Sequence, residues 1–111
     1  MSSTNRGGQR VPDDNYETPA WCVERILEQL ELPGQWWLDP CAGTGAIIRA
    51  ASANRPDLYW GAVELRKECE EPLSRCATTV RIADFGGSCS KSIMGKWDVI
   101  LTNPPYNQAE Q

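Results

Sequence analysis

Trp36-Trp37-Leu38-Asp39-Pro40-Cys41-Ala42-Gly43-Thr44-Gly45-Ala46-Ile47-Ile48 decides the fold. A short apolar run meets an acidic residue and a proline, then a turn with two glycines. Ala46, Ile47, Ile48, Ala50 and Ala51 follow and predict a helix that closes before Pro56. Glycine in such a turn permits positive φ and lets a ligand approach the backbone. The dinucleotide fingerprint would need a third glycine where Ile48 stands, and a phosphate loop would need Gly-Lys-Ser/Thr. Neither is present. A bare Gly-x-Gly also suits an ordinary tight turn, so the flanking sequence must decide its use.

Downstream, Leu58 to Val63 reads as a second strand with Glu64 at its carboxyl end. Leu65 to about Cys76 reads as helix, interrupted or restarted at Pro72. Thr79 to Ala83 reads as a third strand, ending at Asp84-Phe85-Gly86-Gly87. A loop with a short helical turn at Ser90 to Met94 leads to a last apolar strand that runs into Asn103-Pro104-Pro105-Tyr106. Upstream, Thr18 can cap a helix and Pro19 suits its first position. Val23, Ile26, Leu27 and Leu30 form one apolar stripe on that helix, which should end near Leu32 before Pro33-Gly34. Residues 1–15 are Ser, Gly, Asn, Arg and Asp with little to bury, and read as a flexible tail.

Strands alternating with helices predict a parallel sheet with right-handed crossovers. Ligands of such sheets sit outside the carboxyl ends of the strands. Those ends hold Asp39 to Gly45, Glu64, Asp84-Phe85 and Asn103 to Tyr106. Glu64 lies 19 residues beyond Gly45 and can accept both hydroxyls of a ribose. Asp84 offers an acceptor for an exocyclic amine, and Phe85 an apolar edge for a purine. A nucleoside site without a diphosphate clamp points to an adenosine-type cofactor such as S-adenosylmethionine. In Asn103-Pro104-Pro105-Tyr106 the prolines stiffen the turn. One amide, a run of backbone carbonyls and one aromatic ring suit a planar amino group.

The chain has 111 residues, enough for one small domain. A hydrophobic fraction of 41% with 23% charged residues reads as globular rather than disordered. The net charge of -4 lacks the basic excess by which a chain grips duplex nucleic acid. The five cysteines are odd in number and widely spaced, and histidine is absent, so no metal site is expected. No signal peptide is expected before them. The expected setting is a reducing cytoplasm with inert thiols and no membrane partner.

The loop Asp39-Pro40-Cys41-Ala42-Gly43-Thr44-Gly45 with Asn103-Pro104-Pro105-Tyr106 resembles the motif pair of S-adenosylmethionine-dependent amino-methyltransferases, above all the DNA N6-adenine methyltransferases. Residues from Tyr16 onward resemble the first half of that catalytic domain, in the gamma-type motif order. The resemblance implies a Rossmann-like α/β methyltransferase fold with residues 16–111 as a partial domain. It implies that Asp39, Pro40, Cys41, Ala42 and the Gly43 to Gly45 backbone hold the methionine part of S-adenosylmethionine. Glu64 would bind the ribose, and Asp84 with Phe85 the adenine. Tyr16, Thr18 and Pro19 would pack over the methionine end. Asn103 and the Pro104 carbonyl would accept hydrogen bonds from the target amine, with Pro105 stiffening the turn. Tyr106 would stack on a flipped base. Two acceptors would draw the amine towards tetrahedral geometry and free its lone pair for attack on the sulfonium methyl, with positioning and fixed dipoles supplying the rate. The same turn occurs in methyltransferases of protein glutamine amides and RNA guanine amines. A third reading is a cofactor- or partner-binding remnant that does not catalyse.

The family fold has seven strands, and this chain is expected to supply about four, in the order 3-2-1-4. The strand bearing the active turn then lies at an edge with unpaired backbone groups. A missing C-terminal part, a second copy or another chain is expected to cover it, unless the protein is a short form that only binds. DNA is the expected partner of the full-length family, and binding by this chain alone should be weak or absent.

Overall fold

The computed structural model describes residues 17–84 and 97–104. The tail 1–15, Tyr16, Phe85, Pro105, Tyr106 and the helical turn expected at Ser90 to Met94 lie outside them. The elements are α1 (Ala20–Gln29), β1 (Trp36–Asp39), α2 (Ala46–Asn54), β2 (Tyr59–Glu64), a 3₁₀ turn (Lys67–Cys69), α3 (Glu70–Ser74), β3 (Thr79–Ile82) and β4 (Val99–Ile100). Every strand pair is parallel and the sheet order is β3-β2-β1-β4, a Rossmann-like α/β arrangement with β4 at one edge of the described sheet.

The register places Trp37 beside both Trp60 and Val99, and Leu38 beside Gly61 and Ile100. Alternation then splits the strands between two faces. Trp37 and Trp60 meet edge to face with ring centroids 5.7 Å apart, and pack with Val23, Ile48, Ala51 and Leu73 from the three helices. The two indoles are 0% and 1% exposed, and burial of an apolar side chain of that size stabilises by roughly 2–3 kcal/mol. On the other face Leu38 and Val63 pack under Trp97. Gly61 makes room for that ring, since a Cβ there would sit 2.3 Å from it.

β4 is only two residues long, but it is tied at both ends. At its start Asp98 Oδ2 accepts from the backbone N–H groups of Gln35 (3.2 Å) and Trp36 (3.1 Å). The neighbouring Gly34 stands at φ 69°, where a Cβ would collide with Asp98. At its end Leu101 N–H donates to the Leu38 carbonyl at 3.0 Å, and the Thr102 hydroxyl donates to Asp39 Oδ1 at 2.6 Å. Side-chain and backbone bonds together thus hold this short strand in register.

The helices depart from expectation in three places. α1 ends at Gln29, and Leu30, expected on the buried stripe, is extended and 55% exposed. Leu30 to Leu32 lead into Pro33, which disfavours helical backbone before it. The residue capping α1 is Pro19 through its carbonyl, which accepts from Cys22 N–H at 3.1 Å; Thr18 does not cap. Its hydroxyl is engaged elsewhere, as shown below. The helix expected over Leu65 to Cys76 is a 3₁₀ turn followed by the short α3, with Pro72 in its first turn, where a missing N–H costs nothing. Among the described residues no helix is long and apolar enough to cross a membrane.

Candidate functional site

Because all strands run the same way, the carboxyl ends of β1, β2, β3 and β4 share one edge of the sheet. Asp39 closes β1 and is 1% exposed. Its Oδ1 accepts from Cys41 N–H at 3.1 Å and from Thr102 Oγ1 at 2.6 Å. Its Oδ2 is buried and has no hydrogen-bond partner among the described residues. Burial pushes the Asp39 carboxyl up to about 6, against the pull of the Thr102 and Cys41 hydrogen bonds; the negative charge of Glu64 adds to the rise. Burial likewise raises the Cys41 thiol, with Asp39 as the next cause. It stays in the thiol form at neutral pH and is no activated nucleophile.

Pro40 and Ala42 are buried beneath the turn. Ala42 N–H donates to the Val63 carbonyl at 3.0 Å and Gly43 N–H to Glu64 Oε1 at 2.7 Å, so the turn rests on the end of β2. Gly43 at φ 58° and Gly45 at φ 98° both require the left-handed region. A Cβ on Gly45 would also come within 2.6 Å of Cys76 Sγ. Gly45 then opens α2, its carbonyl accepting from Arg49 N–H at 2.8 Å. The result is a bare backbone bend between β1 and α2.

Glu64, 7% exposed, closes β2. Its second oxygen accepts from Arg66 N–H at 3.2 Å and Arg66 Nε at 2.7 Å. Asp84 follows β3 on the exposed side, close enough to act electrostatically on Cys41. Asn103 follows β4, its Nδ2 donating to Thr18 Oγ1 at 3.0 Å, and Pro104 beside it is exposed. That bond leaves the Asn103 carboxamide oxygen as an acceptor for another group. Thr18 and Pro19 also line a cleft of about 420 Å³ with Glu17, Ala46 and Arg49. Thr44 Oγ1 donates to Glu17 Oε2 at 2.5 Å and Arg49 Nη1 to the Thr44 carbonyl at 2.6 Å, which joins the segment before α1 to the glycine turn.

Thus Thr18, Pro19, Asp39 to Gly45, Glu64, Asp84, Asn103 and Pro104 come to one edge, while Tyr16, Phe85, Pro105 and Tyr106 fall outside the described residues. Three residues there escaped the reading of the sequence. Thr102 is a hydroxyl at the end of an apolar strand, immediately before Asn103. Leu65, next to Glu64, is 59% exposed and offers an apolar surface for a planar ring. Arg66 pairs with Glu64, which only the folded turn reveals. The signal for Leu65 was in plain view: an apolar residue directly beyond the strand-ending acid.

The chain is similar to the release factor glutamine methyltransferase of Streptococcus pneumoniae (strain ATCC BAA-255 / R6), with 32% identity over 90 residues. The match takes in 79% of this chain and 32% of the relative, so the chain spans about a third of the relative's length. No family model matches the chain, and no solved structure matches it. The likeness is to a methyltransferase, and does not single out enzymes of DNA adenine.

Proposed function

We propose that this chain carries the cofactor seat and the amine-binding turn of an S-adenosylmethionine-dependent methyltransferase, and that its acceptor is the side-chain amide of a protein glutamine. One observation carries the reading: Thr102 Oγ1 donates to Asp39 Oδ1 at 2.6 Å, which ties the residue before Asn103 to the end of the strand that leads into the glycine turn. The relative's glutamine specificity supports the choice of acceptor, and so does a net charge of -4, ill suited to gripping DNA.

The residues present fit the cofactor. Gly43 carries no side chain where the methionine part would lie, while Gly45 is buried against Cys76 and Leu73. Asp39 Oδ2 is an unpartnered buried acceptor beside them. Glu64 and the exposed Leu65 stand where a ribose and a purine would follow. When bound, S-adenosylmethionine supplies an electrophilic sulfonium methyl. The chain's own part is positional. Asn103, held through its Nδ2 by Thr18, would offer its carboxamide oxygen to the incoming NH2 group. The Pro104 carbonyl provides a second acceptor. Two acceptors on one nitrogen localise its lone pair and aim it, and such orientation with fixed dipoles lowers the barrier without any change of charge on the protein.

Calorimetric titration with S-adenosylhomocysteine tests the seat: saturable binding is expected, and its absence would sink the reading. Label from methyl-labelled S-adenosylmethionine tests the acceptor, with a glutamine-bearing peptide expected to take it in preference to adenine-bearing duplex DNA. A second reading, transfer to the N6 amine of DNA adenine, is favoured by the Thr18–Asn103 bond. That bond ties the Tyr-x-Thr-Pro segment, which resembles the DNA enzymes, to the turn. Label in DNA rather than peptide would decide for it.

A further inference from the structure

We propose that Arg66 gates the cofactor seat: its side chain holds the carboxylate that a ribose diol needs, and a ligand must displace it to bind. The proposal rests on the S-adenosylmethionine reading and concerns how that seat opens.

Glu64 receives three donors. Gly43 N–H reaches Oε1 at 2.7 Å, and Arg66 N–H (3.2 Å) and Arg66 Nε–H (2.7 Å) both reach Oε2. A carboxylate offers about four lone-pair positions, so three donors leave room for one more. A ribose presents two vicinal hydroxyls to such a residue, and only one can be received while Arg66 stays. The donors from Gly43 and the Arg66 backbone are fixed by the turns they belong to. The Nε–H is the one that a side-chain rotation can remove. The Arg66 side chain is 28% exposed, so water can take up the guanidinium when it leaves. The same guanidinium lies over the glycine turn, its Nη2 3.6 Å from where a Gly43 Cβ would stand. One side chain therefore obstructs two of the surfaces a cofactor would use.

The pairing is also local. Glu64 and Arg66 are two residues apart, on either side of Leu65. The pairing joins a nearly buried carboxylate to a guanidinium that still reaches water, and a diol can exchange with that one N–H.

The test is calorimetric titration of the wild type, Arg66→Met and Arg66→Lys with S-adenosylhomocysteine, adenosine and 2′,3′-dideoxyadenosine, after thermal melts that confirm each variant is folded. S-adenosylhomocysteine and adenosine should bind Arg66→Met about fivefold more tightly than the wild type, the factor expected of such a pair. Arg66→Lys, which keeps a cation but loses the Nε–H, should shift the same way by less. Dideoxyadenosine, lacking the diol, should bind all three alike. Unchanged or weaker binding of S-adenosylhomocysteine by Arg66→Met overturns the gate and leaves the cofactor reading standing. A gain shared by dideoxyadenosine does the same. Failure of every protein to bind any of the ligands overturns the cofactor reading itself, and the gate with it.

Discussion

Asp39 and Glu64 close neighbouring strands, and both carboxylates are almost fully buried, 1% and 7% exposed. Their surroundings differ. Glu64 accepts from three N–H groups, one of them on a paired guanidinium, and both of its oxygens are engaged. Asp39 accepts two hydrogen bonds on one oxygen, and the other is left buried and unpartnered among the described residues. Burial alone therefore does not say what a strand-ending acid is for. Glu64 is satisfied by its own chain, with one of its three donors on a side chain that can turn away. Asp39 is held under strain of desolvation, with one oxygen still in want of a donor.

That strain has a sign. Burial raises the Asp39 carboxyl from 3.8 to about 6, so between those values the folded chain binds more protons than the unfolded chain. The contribution to stability is fully present below about pH 4 and is lost as pH rises through about 6. Asp39→Asn keeps an acceptor for Cys41 and Thr102 but carries no charge. The stability of the wild type relative to Asp39→Asn should therefore fall by on the order of 3 kcal/mol between about pH 4 and about pH 7. Urea midpoints across that range measure it, and a constant difference would show that Asp39 finds a partner after all.

Thr102→Val removes a donor that favours the charged form of Asp39. The loss should be about 1–2 kcal/mol at neutral pH and smaller in acid, and the midpoint of the pH profile should move upward. Thr102→Ser should restore both. A midpoint that stays in place would mean that the hydroxyl does not act on Asp39.

Glu64→Gln should have the smallest effect, about 1 kcal/mol in urea unfolding. The amide oxygen can still accept from Gly43 N–H, and the Arg66 side chain, 28% exposed, can turn to water. A loss larger than that of Thr102→Val would reverse the comparison and make Glu64 the more tightly bound of the two.

Much of the site was legible because its parts obey local rules. The bend at Gly43 to Gly45, the acid that closes β2 and Pro104 after Asn103 are readable from adjacent residues. Thr18 shows where such reading stops. A threonine before a proline and an apolar stripe has every local mark of a helix cap, yet its hydroxyl is taken by Asn103, 85 residues away in sequence. Leu30 fits a buried stripe by spacing, and lies exposed because the chain has already turned extended towards Pro33.

The sequence by itself determined the succession of helix and strand, the parallel sheet that this succession implies, and the placing of polar groups at strand ends. Its resemblance to a family extended this to the strand order. These depend on periodicity and on proline and glycine, whose effects reach only a few residues. The tertiary structure decided which groups meet. It brought Thr102 to Asp39 across 63 residues, laid Trp97 over Gly61, and closed Arg66 onto a Glu64 already held by the glycine turn. Whether a carboxylate is strained, satisfied or ready for a ligand depends on donors from other strands and on the water that packing excludes. Neither is a property of the residues beside it in sequence.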